Sequence, residues 1–214
     1  VSEIAYGLLR QGETVGMMML EESVKRSALR FVGLELNKPI HLSRQGVSEV
    51  DISAAFDKVI GTGEHSKVYF YDHFGSTDVE NLLSKLRYMA VVLGCRFIIL
   101  DHLSIVISGL DDKDERRLID RTMTQLRTLV EETGIGLILV SHLKRPEGKG
   151  HEEGAHTSLS QLRGSHAIAQ LSDIVLGLER DQQGENPNIT TLRVLKNRFS
   201  GDTGLANLLS YDKD

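Results

Sequence analysis

Tryptophan is absent from the 214 residues, and aromatic side chains make up only 5% of them. That scarcity argues against a base-stacking platform for nucleic acid. The single cysteine, Cys95, excludes an internal disulfide framework and a four-cysteine zinc site. Such sparing use of cysteine suits a reducing cytosol. No run approaches the ~20 uninterrupted apolar residues that a membrane-spanning helix needs. The first residues also lack the basic and apolar regions of a signal peptide. Basic excess is missing too: the formal charge is −5. A strongly basic coat is thereby excluded, and nucleic-acid binding requires a local cluster of Lys and Arg. There are three prolines, and Pro146 and Pro187 fall in predicted loops. No internal repeat, low-complexity segment or interdomain linker stands out. What remains is 40% hydrophobic residues and 20 glycines, enough for one globular domain with a buried core.

Short apolar runs alternate with segments of helical period. Val15 to Leu20 reads as a strand and Glu21 to Leu36 as a helix. Ser48 to Ile60 reads as a helix with Ser48 as its N-cap, and Val68 to Tyr71 as a strand. The next helix opens on the capping-box spacing Thr77…Glu80. Its apolar residues Val79, Leu82, Leu83, Leu86, Met89, Ala90 and Leu93 recur at i, i+3, i+4 and i+7. Phe97 to Leu100 and Leu137 to Val140 are continuous apolar runs, as in strands buried on both faces. Asp114 to Glu132 is a charged helix with an inner stripe of Leu118, Thr122, Leu126 and Leu129, stopped by Gly134. Lys144 to Thr157 reads as a loop, Ser165 to Leu171 as a helix and Ile174 to Leu178 as a strand. Thr191 to Lys196 and Leu205 to Tyr211 read as an antiparallel hairpin through Phe199-Ser200-Gly201-Asp202. This order predicts the α/β class, with a mostly parallel sheet and helices on both faces.

In an open α/β sheet, ligands gather outside the carboxyl ends of the strands. That rule selects Glu21 and Glu22, Asp72 and His73, Asp101 and His102, and Ser141 and His142. Phe97-Ile98-Ile99-Leu100-Asp101 has the form of a Walker B strand, whose final Asp serves Mg²⁺ beside a nucleotide's phosphates. Glu21 is placed to polarise an attacking water. The alternative is that Glu21 and Glu22 are first-turn helix acids favoured by the helix dipole. Ser141-His142 is either a sensor of a terminal phosphate or a polar pair closing a strand. The run from Lys144 to His151 is the only compact basic segment between predicted elements. It is either a phosphate-contacting loop or a solvated one. Arg198, Arg163 and Arg180 are candidates for an arginine that reaches a neighbouring subunit, or else exposed basic positions. Cys95 reads as a core thiol. His151 to His156 misses the H-E-x-x-H spacing by one residue, Asp111 to Asp114 lacks the EF-hand pattern, and no G-x-S-x-G elbow is present. The eight histidines are scattered along the sequence.

The series Met19-Leu20-Glu21-Glu22-Ser23, Ile99-Leu100-Asp101-His102-Leu103-Ser104, Ser141-His142-Leu143-Lys144 and Leu162-Arg163-Gly164-Ser165 continues late in the chain. There Gln170-Leu171-Ser172-Asp173, Leu178-Glu179-Arg180 and Lys196 to Gly204 follow in order. It resembles the helicase domain of DnaB-type hexameric replicative helicases, especially the primase-helicases of T-odd phages, over nearly the whole chain. The resemblance implies a RecA-like fold and a motor that hydrolyses ATP or dTTP with Mg²⁺ at subunit interfaces. It implies translocation on single-stranded DNA inside a homohexamer, in the cytoplasm of a bacterial or phage-infected cell. A fused primase domain and a replication polymerase are its implied associates. Position by position, it makes Glu21 the catalytic base, Asp101 the Walker B acid and metal residue, His142 the phosphate sensor and Gln170 a γ-phosphate contact. Arg198 becomes the arginine finger, Lys196 its companion and Arg180 a subunit-interface residue at the nucleotide. Lys144, Arg145 and Lys149 fall in the DNA-binding loop of the central channel, where Arg145 departs from the commoner small polar residue.

The sequence contains no G-x-x-x-x-G-K-[ST]. The resemblance sets that loop just before the helix represented here by Ser2 to Leu9. With Val1 in place of Met at its start, the chain therefore reads as a single motor domain, 1–214, truncated just after the phosphate-binding loop. It is expected to bind nucleotide poorly and hydrolyse almost none. Two other readings stand beside this one. One is another RecA-like ATPase, of the recombinase or clock type. The other is a non-catalytic structural subunit of a ring.

Overall fold

The structure, a computed structural model, describes residues 1–211 apart from 62, 64–65, 74–77, 104–111, 145–147, 149 and 163–165; the side chains of 112–114 also lie outside it. In chain order the elements are α1 (Ser2–Arg10), β1 (Val15–Met19), α2 (Val24–Leu36), α3 (Glu49–Val59), β2 (Val68–Phe70), α4 (Val79–Val91) and β3 (Phe97–Asp101). There follow α5 (Asp112–Thr133), β4 (Gly136–Leu139), α6 (His166–Leu171), β5 (Ile174–Glu179), β6 (Ile189–Asn197) and β7 (Gly204–Ser210). The chain divides into two compact units. One comprises Val1–Ser108 with Gln125–Val140, and the other Gly109–Thr124 with Ser141–Asp214, so the division falls within α5.

The first unit holds a four-stranded parallel sheet in the order β2-β1-β3-β4. Side chains alternate across a strand, so its two faces can be assigned to different helices. Val15 and Met17 of β1 and Ile99 of β3 pack with Ala5 and Leu9 of α1, Phe31 and Val32 of α2, and Ala55 and Val59 of α3. Gly16 points the other way: a Cβ built there would lie 2.9 Å from Met89 Sδ of α4 and 3.4 Å from Cys95 Sγ. The expectation of helices on both faces of a parallel sheet holds in this unit. Met17, Met18, Ile98, Ile99 and Leu100 are fully buried, and each such side chain contributes roughly 1.5–3 kcal/mol.

Helix starts follow side-chain caps. Ser48 Oγ accepts from Asp51 N as expected, while α2 begins later than the sequence predicts, with Ser23 accepting from Arg26 N. Glu21 and Glu22 thus precede α2, whose first turn carries no acid, and the dipole reading of this pair is corrected. At α4 the cap is Asp78, whose carboxylate accepts from Asn81 N; Thr77 of the expected box lies outside the described residues. In α5 the inward stripe is corrected: Ile119 and Met123 are buried with Thr122, Leu126 and Leu129, whereas Leu118 is only partly covered. Gly134 follows α5 at φ +69°, as a helix-stopping glycine should.

The second unit holds a three-stranded antiparallel sheet, β5-β6-β7. The hairpin of β6 and β7 matches the sequence reading. β5 departs from the parallel pattern, because it pairs antiparallel with β6. Its Ile174, Leu176 and Leu178 alternate with less exposed residues, the period of a sheet with one open face. β7 ends the sheet, with Leu205, Leu208 and Leu209 exposed.

Candidate functional site

β1 and β3 run in register, with Met19 opposite Asp101. Leu20 N then donates to Asp101 O at 2.7 Å, which brings the next residues of both strands together at the carboxyl edge. Glu21 Oε1 meets His102 Nε2 at 2.8 Å, although the two are 81 residues apart. His102 is 3% exposed, whereas 58% of the Glu21 side chain faces solvent. Asp101 is half-buried, and that burial pushes its carboxyl above the usual range; Glu21 adds to the rise and His102 opposes it. Adjacent carboxylates supply the hard oxygen donors that Mg²⁺ takes, and a bound cation would relieve the cost of ionising Asp101 where it sits.

Glu22 has a different task. Its Oε1 accepts from Ser27 Oγ at 2.7 Å, and its Oε2 is ion-paired with Arg30 Nε at 3.2 Å. Only 14% of the Glu22 side chain is exposed. Of two consecutive glutamates, one is therefore tied into α2 and the other faces water.

The second unit gathers Gln170, Lys196 and Arg198. Lys196 Nζ donates to the carbonyls of Ala169 (2.7 Å), Gln170 (3.1 Å) and Ser172 (2.7 Å), closing the C-terminal end of α6. Burial, with help from Arg198, lowers its pKa. Arg198 Nη1 binds Asp173 Oδ1 at 2.9 Å and its Nη2 donates to Gln170 O at 3.0 Å, yet 45% of the side chain stays exposed. Arg180 lies apart from these, donating from Nε to Pro187 O at 2.6 Å. His142 and Lys144 are exposed, and Lys144 N donates to Gln161 O at 2.7 Å. Arg145, Lys149 and Arg163 lie outside the described residues.

Sequence reasoning missed a cluster at the end of β5. Glu179, 7% exposed, accepts at Oε1 from Thr157 N (2.8 Å), Thr157 Oγ1 (2.9 Å) and Arg193 Nε (2.8 Å). Its Oε2 takes Arg193 Nη2 at 3.1 Å and lies 3.1 Å from His156 Nδ1. Burial alone would raise the carboxyl's pKa, but these donors outweigh it and hold it at about 2. The only signal in the sequence was an acid closing an apolar run, which does not announce a partner 22 residues earlier.

A family model described as the DnaB-like helicase C-terminal domain matches residues 1–213. The chain is 42% identical to the DNA helicase/primase of Enterobacteria phage T3 over 208 residues, covering 96% of this chain and 37% of that protein. It is 26% identical to the replicative DNA helicase DnaC of Bacillus subtilis, covering 94% of this chain and 45% of the relative. It thus spans less than half the length of these curated relatives. Among solved structures, an isolated ATPase domain superposes with a TM-score of 0.73 at 21% identity, over 99% of this chain and 79% of that one. A DnaB-like replicative helicase solved for its interactions with primase also gives 0.73, at 22% identity, over 96% of this chain and 50% of that one.

Proposed function

The chain belongs to the DnaB-like helicase C-terminal domain family, and from that premise we propose that it is the motor part of an NTP-driven replicative DNA helicase. The fold is RecA-like. The observation that carries the reading is the pairing of an exposed Glu21 with a half-buried Asp101 at the carboxyl ends of adjacent strands. Glu21 is the general base: it takes a proton from the water that attacks the terminal phosphate. Asp101 holds Mg²⁺, which would neutralise charge on the phosphate oxygens. His142 and Gln170 contact the terminal phosphate. Arg198 acts on nucleotide held by a neighbouring subunit of a homohexamer, with Arg180 at the same interface. Any direct nucleotide contact by Lys196 requires it to release three carbonyls, so its first role is to brace the strand end that presents Arg198. Lys144, with Arg145 and Lys149, binds the phosphates of single-stranded DNA. The phage relative's description as a helicase/primase supports a primase partner, fused or separate, and work in the cytoplasm of an infected host. ATP and dTTP are both admitted as fuel.

Because the sequence lacks a G-x-x-x-x-G-K-[ST] loop, the test supplies one ahead of Val1. In that protein Glu21→Gln should leave nucleotide binding near normal and lower turnover by ~100-fold or more. Unwinding of a forked duplex should fall in step. Unchanged turnover removes Glu21 from the chemistry, and hydrolysis without unwinding favours another RecA-like ATPase.

A further inference from the structure

Hydrolysis needs the base to hold one orientation, and an exposed glutamate in water does not do so unaided. Glu21 lies in the short turn between β1 and α2, beyond the last ladder bond of the strand. Its side chain has several rotamers open to it, and 58% of it is in contact with solvent. The polar contact that fixes it is the imidazole of His102, whose Nε2 lies 2.8 Å from Oε1. The imidazole is itself immobilised. It is 3% exposed, it follows directly on the last residue of β3, and Leu103 N donates to Val140 O at 3.2 Å just beyond it. A buried, rigid ring thus grips one oxygen of a mobile carboxylate and leaves the other for water.

We propose that His102 is a positioning residue for Glu21: its Nε2–H holds Oε1 so that Oε2 faces the site of attack. The inference rests on the reading of Glu21 as the base. An ionised carboxylate can only accept, so the imidazole must carry its proton on Nε2 for this bond to exist. The arrangement also explains why Glu21, and not Glu22, is the acting acid, since Glu22 is committed to Ser27 and Arg30. His102 acts through Glu21 and touches neither nucleotide nor water.

Two measurements test this. In the chain itself, the side-chain ¹⁵N resonances of His102 are compared between the native protein and Glu21→Ala. A shift of Nε2 with the backbone spectrum otherwise retained is expected; an unmoved Nε2 overturns the contact. In the protein supplied with a phosphate-binding loop, His102→Gln and His102→Asn are then compared. Both amides fit the buried space, but only Gln carries its N–H out to the place of Nε2. Asn should lower kcat about tenfold or more with KM and nucleotide affinity unchanged, and Gln should recover most of the loss. In a Glu21→Gln background, Asn and Gln should be equal, because nothing is left to position. Equal effects in the native background, or losses that persist additively in Glu21→Gln, overturn the proposal. If Glu21→Gln alone leaves turnover intact, the base reading has failed, while the resonance comparison still decides whether the contact exists.

Discussion

Glu179 shows how much can rest on one carboxylate. Two main elements meet at it: the segment carrying His156 and Thr157, and the β5–β6 pair through Arg193. Its pKa is about 2 in the folded chain against an ordinary 4.5. A depressed carboxylate contributes stability in full above its unfolded value and loses it as pH falls through the folded value. The expected window of loss therefore runs from about pH 4.5 down to about pH 2, with little change between pH 6 and 8. Glu179→Gln should cost ~3 kcal/mol at pH 7 and flatten the acid limb. Urea midpoints of both proteins at pH 7 and pH 3 check this; a variant that keeps the native acid dependence places the titrating group elsewhere. Cys95 makes the opposite case, an apolar burial that pushes a thiol up to about 11 and leaves it a packing residue.

At the scale of elements, α2 ends in a close reversal that a sequence rule misjudges. Replacing glycine by alanine inside a helix ordinarily stabilises by about 1 kcal/mol. At Gly33, however, a Cβ would meet the Lys38 carbonyl oxygen at 2.7 Å. That main chain is fixed by Lys38 N donating to Gly33 O and by Asn37 at φ +51°, so the carbonyl cannot swing aside. Gly33→Ala should therefore destabilise, by ~1–3 kcal/mol, and thermal unfolding measures the sign directly. The same contrast governs what the sequence disclosed. Strand and helix order was legible because apolar period depends on near neighbours, and Ser48 was legible as a cap because its partner is three residues away. The start of α2, the Asp78 cap and the rotated stripe of α5 were misread, since adjacent candidates compete and packing chooses between them. β5 was legible as a strand, but which strand it would pair with was not. Glu21 and Asp101 stood out as acids closing apolar runs. The contact of Glu21 with His102 and that of Glu179 with Thr157 join residues far apart in sequence, and no local pattern encodes them.

The proposed motor is a ring, and its arginine finger makes a prediction that no single subunit can satisfy. Arg198 rests on Asp173 and Gln170 O with nearly half its side chain exposed, so it is held yet able to reach outward. With a phosphate-binding loop supplied, Arg198→Ala and Glu21→Gln homohexamers should each be nearly inactive, given that such an arginine is worth ~1,000-fold or more. Mixed rings contain interfaces that join an intact Arg198 to a neighbour's intact Glu21, and these should regain basal hydrolysis where sites fire independently. Normal hydrolysis by Arg198→Ala alone moves the role to Arg180 or Arg163. One further property belongs to the whole chain and comes from β7. The strand Gly204–Ser210 closes its sheet with no charged residue and no proline along its length, so it has none of the usual guards against pairing with another copy. Exposed Leu205, Leu208 and Leu209 lie along it, and Tyr211 follows. At rising concentration the protein should cloud by strand-to-strand association well below its melting temperature, and its shelf life will be set by how crowded it is kept more than by how warm.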